Sequence, residues 1–527
     1  MIQTTGGAIQ TLITMVFYII LVLLIGVYYS KRASTSSDEF FIGGRSLGPW
    51  VSAMSAEASD MSGWLLMGLP GVAYWCGLAD AFWTALGLGV GTYINWLIVA
   101  KPLRRYTQKA GNAITIPDFF SKRYGDNKRA ILFISSLVIL IFFAVYTGSC
   151  FAAGGKLFGT LFGLDYRLMM FLTAIFIMVY TLLGGFLAVC MSDFVQGIIM
   201  IGALILVFAV GLTHAGGWGA MMDNLHSIPG FVEFFGIAQP DADPATGQQI
   251  VQNGIPLFKE AGAYGIITVV STLSWGLGYF GMPQVLLRFV AIRKVNELTR
   301  ARRIAIIWVA VSLFAAVVIG LMGRELYPDA LLTGSASESV IILISTTIFH
   351  PVVIGVIMAG ILAAIMSSSD SYLLAASSAV AKDLYQGIFK KDASERNILF
   401  VSRLTLLAIT IFGVVIAFDP NSVIFQIVSF AWAGFGAAFG PLMLFSLFWR
   451  RANIQGAIAG LVAGAAMVFV WKFTIRPMGG IWGIYELLPA FLVSCIAIVA
   501  VSLATKPPKQ EVTDLFDEVR AMKGEVV

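Results

Sequence analysis

The sequence Ser55-Ala-Glu-Ala-Ser-Asp-Met-Ser-Gly-Trp-Leu-Leu-Met-Gly-Leu-Pro70 lies in an apolar segment that runs from about residue 47 to residue 73. Its middle carries two carboxylates, Glu57 and Asp60, together with three serines and a glycine. A charged side chain at the centre of a membrane-spanning helix costs about 2.5–3.5 kcal/mol on insertion scales. A helix that breaks at such a point exposes carbonyl groups and half-helix ends that can hold an ion or a charged solute. The stretch therefore predicts a broken membrane-spanning helix; the alternative is that Asp60 caps a half-helix and the small residues serve packing alone.

The composition is that of an integral membrane protein. Of the 527 residues, 58% are hydrophobic and 12% are charged, and the mean hydropathy is +0.86. Soluble domains carry about 25% charged residues, so a soluble domain of any size is excluded. The net charge of +5 does not indicate nucleic-acid binding, because the basic residues lie in short loops between apolar runs. The four cysteines have no paired spacing and are expected to be inert buried thiols.

The apolar runs predict the number of membrane spans. About 20 apolar residues cross the hydrocarbon layer, and thirteen runs reach this length. They lie at about 10–30, 47–73, 77–100, 130–155, 167–188, 194–213, 262–286, 304–323, 350–381, 399–418, 422–448, 454–474 and 484–504.

The positions of the basic residues predict the orientation of these spans. With the N-terminus outside, 28 of the 34 lysines and arginines fall on the cytoplasmic side, as the positive-inside rule requires. The first charged residue, Lys31, follows the first apolar run, which argues against a cleaved signal peptide. We therefore expect one transporter domain over 1–505, an extracellular loop over 214–260 and a cytoplasmic tail over 506–527. From Glu511 the tail can form an amphipathic helix that lies against the membrane or the protein.

A second polar, glycine-rich interruption, Ser271-Thr-Leu-Ser-Trp-Gly-Leu-Gly-Tyr-Phe-Gly-Met-Pro283, lies in the seventh predicted span. Three glycines and a proline weaken a helix there. Five spans separate it from the first interruption, which predicts two five-helix repeats of opposite orientation over about 47–213 and 262–448. Paired interruptions at corresponding positions indicate a binding site near the middle of the membrane. Other glycines, in a ladder at 456, 460 and 464 and in a cluster at 87, 89 and 91, are expected to allow close helix packing.

A third polar cluster, Ala363-Ala-Ile-Met-Ser-Ser-Ser-Asp-Ser371, lies in the ninth predicted span. Ser367 and Ser371 share a helix face, and Asp370 lies beside them. Hydroxyl, carbonyl and carboxylate oxygens are hard ligands that suit an alkali cation. Such serines also often hydrogen-bond to their own helix, but the added carboxylate favours a cation site. Asp193, at the start of the sixth span, is either a further ligand or a helix cap.

The two interruptions, together with the motifs at 43–49, 180–189 and 431–441, resemble the sodium/solute symporters, and among them the bacterial sodium/proline symporters. The similarity runs from about residue 15 to residue 505. It implies an all-α membrane protein with a LeuT-like core of inverted five-helix repeats, two broken helices and transport by alternating access. Sodium would be the co-transported ion and L-proline the solute, in a multi-pass protein of the cell membrane with no obligate protein partner.

The resemblance also implies site residues. The sodium ligands would be backbone oxygens of Ala58, Met61 and Ala364 with the hydroxyls of Ser367 and Ser368, and Asp60 would be the carboxylate that couples sodium to transport. Some members hold a second cation, which here would involve Asp193, Asp370 and Ser371 with Ser367. The solute would contact Ser62, Gly63, Trp64, Tyr146, Trp275, Tyr279 and Pro283.

Two departures from the family pattern bear on the site. Glu57 stands where we expect a small residue, and Gly281-Met-Pro-Gln284 replaces the usual Gly-Gln-Pro-His. The second departure borders the expected solute site and therefore affects the identity of the solute more than the mechanism.

Three other readings are weighed against this one. The cargo could be another amino acid, a betaine-like osmolyte, a vitamin or a sugar. An enzyme is disfavoured because the sequence has no HExxH motif, no P-loop and only three scattered histidines. A channel or a sensor is the third reading, and passive flux without coupling to a solute would favour a channel.

Overall fold

The structure is a computed structural model that describes residues 5–33 and 37–522. Helices dominate it, and four very short strands lie in one segment outside the helical bundle. The helices are α1 (Thr5–Ala33), α2 (Ser37–Ile42), α3 (Pro49–Asp60), α4 (Leu69–Cys76), α5 (Leu78–Ile94), α6 (Ala100–Lys109), α7 (Ile116–Tyr124), α8 (Ala130–Phe162), α9 (Tyr166–His214), α10 (Gly217–Leu225), α11 (Ile266–Leu273), α12 (Pro283–Ala291), α13 (Leu298–Leu326), α14 (Gly334–Ser337), α15 (Val340–Ile348), α16 (Pro351–Ser378), α17 (Glu395–Ile416), α18 (Ile424–Phe448), α19 (Ile454–Val470), α20 (Leu487–Ala504) and α21 (Gln510–Ala521).

Within the described residues, ten helices are long and apolar enough to cross a membrane, and the bent pair formed by Ile266–Gly281 and Pro283–Ala291 makes an eleventh. The two other predicted spans correspond to shorter apolar helices, Trp64–Cys76 after the first break and Tyr166–Leu182 in the first part of α9. The chain is thus a multi-pass membrane protein, and the number thirteen stays a prediction.

Both expected helix breaks are present. Helix α3 ends at Asp60, and Met61 leaves the helical conformation with φ −80° and ψ 71°. A π-helical turn from Trp64 to Gly68 then leads into α4. The second break begins with a 3₁₀ segment, Ser274–Gly281, and bends by 45° before α12. Pro283 begins α12, because its missing N–H is not needed at the first position of a helix.

Glycines bring helix α5 against the second break. A Cβ atom on Gly87 would lie 2.6 Å from the carbonyl oxygen of Leu273, and one on Gly91 would meet the backbone of Gly276. In α9, Gly185 breaks the helix with φ 67° and ψ 178°. The predicted glycine packing is therefore confirmed for Gly87 and Gly91 of α5 but wrong for Gly89, which has no neighbour within 4 Å of a Cβ position. It is also confirmed in α19, where the glycines at 456, 460 and 464 face α20 and α18.

The segment predicted as a long loop is folded onto the helices. It contains α10 and the strands β1 (Gly236–Ile237), β2 (Val251–Gln252) and β3 (Ile255–Pro256), and β4 (Gly262–Ala263) follows it directly. The strands pair antiparallel as β1 with β4 and β2 with β3. Trp83 donates its indole N–H to the carbonyl oxygen of Phe234 at 2.8 Å, and buried Gln249 accepts a hydrogen bond from Arg324 at 2.9 Å. The segment is therefore docked on the ends of α5 and α13.

The predicted helix of the tail is confirmed as α21. Val512, Phe516 and Val519 are buried, and the guanidinium of Arg123 lies 4.9 Å from the centre of the Phe516 ring. Asp517 pairs with Arg450 at 2.9 Å. The helix therefore packs on the protein; the last five residues of the predicted tail lie outside the described residues.

Candidate functional site

The predicted sodium ligands lie together at the first helix break. Ser367 donates its hydroxyl to the carbonyl oxygen of Ala58 at 2.8 Å and Ser368 does so at 3.3 Å. The Ser367 hydroxyl also lies 3.3 Å from the carbonyl oxygen of Ala364. All these residues are fully buried, and Met61 is the non-helical residue that ends α3. The break thus presents backbone oxygens of α3 to the hydroxyls of α16, which is a set of donors that suits an alkali cation.

Asp60 connects the two broken helices. Its Oδ2 atom accepts a hydrogen bond from the Tyr279 hydroxyl at 2.8 Å, and its backbone carbonyl accepts one from the Trp64 indole at 3.1 Å. The carboxylate is fully buried, and Oδ1 has no hydrogen-bond partner among the described residues. The Asp60 carboxylate therefore joins the first break directly to Tyr279 of the second.

Aromatic side chains surround the predicted solute residues. The rings of Trp64 and Trp275 are 6.5 Å apart, and Trp275 stacks on Tyr485 at 5.0 Å. On the other side, Tyr146 stacks on Tyr372 at 4.3 Å, and both side chains are fully buried. The aromatic cluster thus offers apolar faces together with buried hydroxyl groups.

Backbone residues and proline complete the predicted solute set. Ser62 accepts a hydrogen bond from the backbone N–H of Trp64 at 3.4 Å. A Cβ on Gly63 would lie 2.8 Å from that of Ala153, so only glycine fits there without a shift. Pro283 is fully buried at the start of α12. The structure thus places the predicted residues at or beside the two breaks.

A cavity of about 800 Å³ reaches the aromatic cluster from one end of the bundle. Trp275 lines it, together with Gly68, Tyr264, Phe425 and Tyr485, whereas the other six predicted solute residues do not. Trp64, Tyr146 and Tyr279 are buried at 0–1% exposure. The predicted solute residues are therefore closed off behind Trp275 in this structure.

The predicted second cation site contains an arginine. The Arg288 guanidinium in α12 donates to Asp193 at 3.1 Å, to the hydroxyl of Ser371 at 2.7 Å and to the hydroxyl of Ser55 at 2.9 Å. Asp370 is buried beside this group, and its carboxylate oxygens have no hydrogen-bond partner in the described structure. Asp193 and Ser371 are thus brought together, but a permanently charged side chain lies between them.

Sequence reasoning missed four side chains that shape the site. Tyr372 follows Ser368 by four residues, so the same helix-face argument that grouped the serines could have included it. Trp96 donates its indole N–H to Glu57 at 3.0 Å, and no spacing within the sequence indicates this contact. Arg288 and Tyr485 come from distant parts of the chain, and only the assembled bundle brings them to the site.

The described residues contain no cluster of three or more His, Cys, Asp or Glu side chains that could hold a metal ion. The site instead offers carbonyl and hydroxyl oxygens, one coupling carboxylate and aromatic walls. Such a set can bind an alkali cation and a small organic solute side by side.

Comparison with solved structures identifies the architecture. The chain matches a Na⁺-coupled sialic acid symporter in a substrate-bound outward-open state with a TM-score of 0.74 at 20% identity, over 95% of this chain and 99% of that one. It also matches MhsT in complex with L-phenylalanine with a TM-score of 0.50 at 14% identity, over 86% of this chain and 98% of that one. The expected LeuT-like transporter fold is confirmed.

Sequence comparison identifies the family. The osmoregulated proline transporter OpuE of Bacillus subtilis is 42% identical, over 97% of this chain and 98% of its own length. The high-affinity proline transporter PutP of the same organism is 43% identical over 94% and 98%, and the sodium/proline symporter of Staphylococcus aureus is 41% identical over 97% and 96%. The family described as "Sodium:solute symporter family" matches residues 40–464. The chain belongs to the sodium:solute symporter family, and it is a sodium-coupled transporter of the cell membrane rather than an enzyme.

Proposed function

We propose that this protein carries L-proline into the cell together with sodium by alternating access. The observation that carries the proposal is the contact of Ser367 and Ser368 with the Ala58 carbonyl at the break of α3, since it brings oxygens that suit an alkali cation together between two helices. The three relatives named as proline transporters support the choice of solute.

Sodium would bind the backbone oxygens of Ala58, Met61 and Ala364 and the hydroxyls of Ser367 and Ser368. In that position it joins α3 to α16. A ligand shifts a conformational equilibrium only if it binds one state better than the other. Since the broken helix supplies two of the five ligands and α16 the other three, sodium would stabilise the one arrangement in which α3 and α16 are in contact.

The solute would bind next to the ion, against Trp64, Tyr146, Trp275 and Tyr279, with Ser62, Gly63 and Pro283 at the helix breaks. Aromatic faces suit a pyrrolidine ring, and half-helix N-termini suit a carboxylate. Asp60 links the two halves, because it is held by Tyr279 of the second break and accepts from Trp64 of the first. Loss of either contact would uncouple the ion from the solute.

The same proposal includes the orientation and the internal symmetry. The N-terminus would lie outside and the C-terminus in the cytoplasm, with one transporter domain over 1–505 and inverted repeats over about 47–213 and 262–448. A second cation at Asp193, Asp370 and Ser371 would have to displace the guanidinium of Arg288 from its hydrogen bonds.

Uptake of labelled L-proline into proteoliposomes tests the function, with and without an inward sodium gradient, for the wild type and Asp60→Asn. A membrane potential of 100 mV supplies about 2.3 kcal/mol for each sodium ion, so we expect proline to accumulate in the wild type. The variant keeps the shape of the side chain but not its charge, and we expect it to lose accumulation.

A competition series with other amino acids, betaine, vitamins and sugars tests the cargo. Sodium-driven uptake of another solute but not of proline would keep the class and point to Met282 and Gln284. Gln284 is fully buried, and its amide has no hydrogen-bond partner in the described residues. Absence of gradient-driven uptake for every solute would overturn the proposal.

A further inference from the structure

A second group of unpaired oxygens lies beside the first helix break. Glu57 is one turn before Asp60 in α3, so the two carboxylates share a helix face. Both are buried, at 1% and 0% exposure. Glu57 accepts from the Trp96 indole through Oε1, and Asp60 accepts from Tyr279 through Oδ2. Each therefore has one oxygen engaged by an aromatic donor and one oxygen, Oε2 or Oδ1, that lacks a hydrogen-bond partner in the described structure.

Two further side-chain oxygens come from α5 and the turn that follows it. Asn95 precedes Trp96, the donor to Glu57, and donates its amide N–H to the Tyr279 carbonyl at 3.0 Å, while its own Oδ1 atom is fully buried without a partner among the described residues. The hydroxyl of Thr92, one helical turn earlier, is likewise buried and interacts with the hydroxyl of Tyr279. Tyr279 thus contacts Asp60 and Thr92 through its hydroxyl and Asn95 through its backbone carbonyl oxygen.

This group contains negative charge without a compensating side chain. Within the described residues, neither Glu57 nor Asp60 forms an ion pair, although other buried carboxylates do, as Glu338 does with Lys156 at 2.6 Å and Asp193 with Arg288 at 3.1 Å. An isolated buried carboxylate is strongly unfavourable unless it is paired or coordinates a cation. The group contains no histidine or cysteine, the ligands that most transition metals in proteins favour.

We propose that Glu57 and Asp60 bind a second sodium ion between α3 and α5, with the side-chain oxygens of Thr92 and Asn95 as further ligands. This inference rests on the proposed sodium-coupled transport. The site is distinct from the set around Ala58 and Ser367, because the ligands that face α3 come from α5 and the turn after it and not from α16. Its determining residue is Glu57, because it supplies the second carboxylate. A second ion would double the driving force that the membrane potential supplies for each solute molecule.

Equilibrium binding of ²²Na⁺ to the purified full-length protein tests the site. The wild type should bind two ions per chain, and Glu57→Gln, which keeps the shape of the side chain, should bind one. Ser367→Ala should weaken the binding of the first ion about tenfold and leave the ion at Glu57 unchanged, so the Glu57→Gln and Ser367→Ala double variant should bind a single ion about tenfold more weakly than Glu57→Gln does. Thr92→Val, which removes one ligand oxygen without changing the volume, should raise the half-saturating sodium concentration of the second ion about fivefold.

Uptake in proteoliposomes separates this inference from the proposed function. Glu57→Gln should still take up proline with sodium, and the Hill coefficient for sodium should fall from above 1 to about 1. Equal sodium counts in the wild type and Glu57→Gln would overturn the second site while leaving the symporter intact. Wild-type uptake driven by a pH gradient alone, and lost in Glu57→Gln, would also overturn it, since the occupant would then be a proton. If Glu57→Gln fails to fold, an unchanged sodium affinity in Thr92→Val contradicts the site.

Discussion

Ser367 is the side chain on which the first sodium site depends most directly, because its hydroxyl touches carbonyl oxygens of both α3 and α16. Replacing it by alanine removes one ligand from a buried site. We expect the sodium concentration for half-maximal proline uptake to rise about tenfold, which corresponds to about 1.4 kcal/mol. Ser369→Ala is the matched control, since that buried hydroxyl donates only to carbonyls of its own helix. Equal shifts in the two variants would show that Ser367 is not a sodium ligand.

The burial of Arg288 leads to a prediction about the thermal stability of the protein rather than about sodium binding. It is buried at 1% exposure, and it holds Asp193 together with serines of α3 and α16. Removing one partner of a buried ion pair leaves an uncompensated charge and costs about 3–5 kcal/mol. We therefore expect Arg288→Gln to lower the thermal stability of the purified protein strongly, and the double variant with Asp193→Asn to recover most of it.

The measurement is thermal aggregation followed by fluorescence size-exclusion chromatography. Since two residues in contact are expected to couple, the double variant should be more stable than the Arg288→Gln variant alone. A double variant that is no more stable than Arg288→Gln would show that the charge pair is not the reason for the loss.

At the residue scale, the sequence predicts contacts that depend on a helix break but not those that depend on assembly. A polar break and a serine-rich face are each visible within one segment, but Ala58 and Ser367 could be grouped only through the resemblance to the sodium/solute symporters. The Arg288 guanidinium could not be placed, because its partners come from α3, α9 and α16, and an arginine near the end of an apolar run is equally typical of a cytoplasmic helix end. The hydrogen bond between Trp96 and Glu57 could not be predicted for the same reason.

The close packing of helix α5 against the second break leads to a prediction about a whole helix. Gly91 lies against the backbone of Gly276 in the second break, whereas a Cβ on Gly89 of the same helix would meet nothing within 4 Å. Gly91→Ala should push α5 away from the break, and overpacking of this kind costs about 1–3 kcal/mol. We expect it to lower both thermal stability and proline uptake, and Gly89→Ala to leave both close to wild type. Similar behaviour of the two variants would contradict the close packing.

Both helix breaks could be predicted from composition, because glycine, proline and carboxylates within apolar runs have direct effects on a backbone in lipid. The docking of residues 214–260 on the helices could not be predicted. Its strands are two residues long and pair through the backbone, so they leave no alternation of apolar and polar residues. Its anchors, such as Gln249 with Arg324, join positions that are far apart in the sequence.

At the scale of the whole molecule, the length of a helix is a poor measure of the number of crossings in a transporter. The segments that carry the site are short because they are broken, so α3 and Trp64–Cys76 fail a length criterion that the uninterrupted helices satisfy. The short helices and the ion site have one cause, since a helix must end for its backbone oxygens to become free for an ion. A count that omits broken segments therefore loses the span that matters most for function.

The orientation of the molecule gives the last prediction. Basic residues are retained on the cytoplasmic side of a membrane, and the segment 214–260 carries one basic residue, Lys259, whereas 382–403 carries five. In a variant without the four native cysteines, a cysteine that replaces exposed Ala245 should react with a membrane-impermeant maleimide in intact cells, and one that replaces exposed Lys391 should react only after permeabilisation. Proline uptake by each variant serves as the control for folding. Labelling in the reverse order would show that the spans have the opposite orientation. Labelling of both cysteines from outside would show that an even number of spans lies between the two positions.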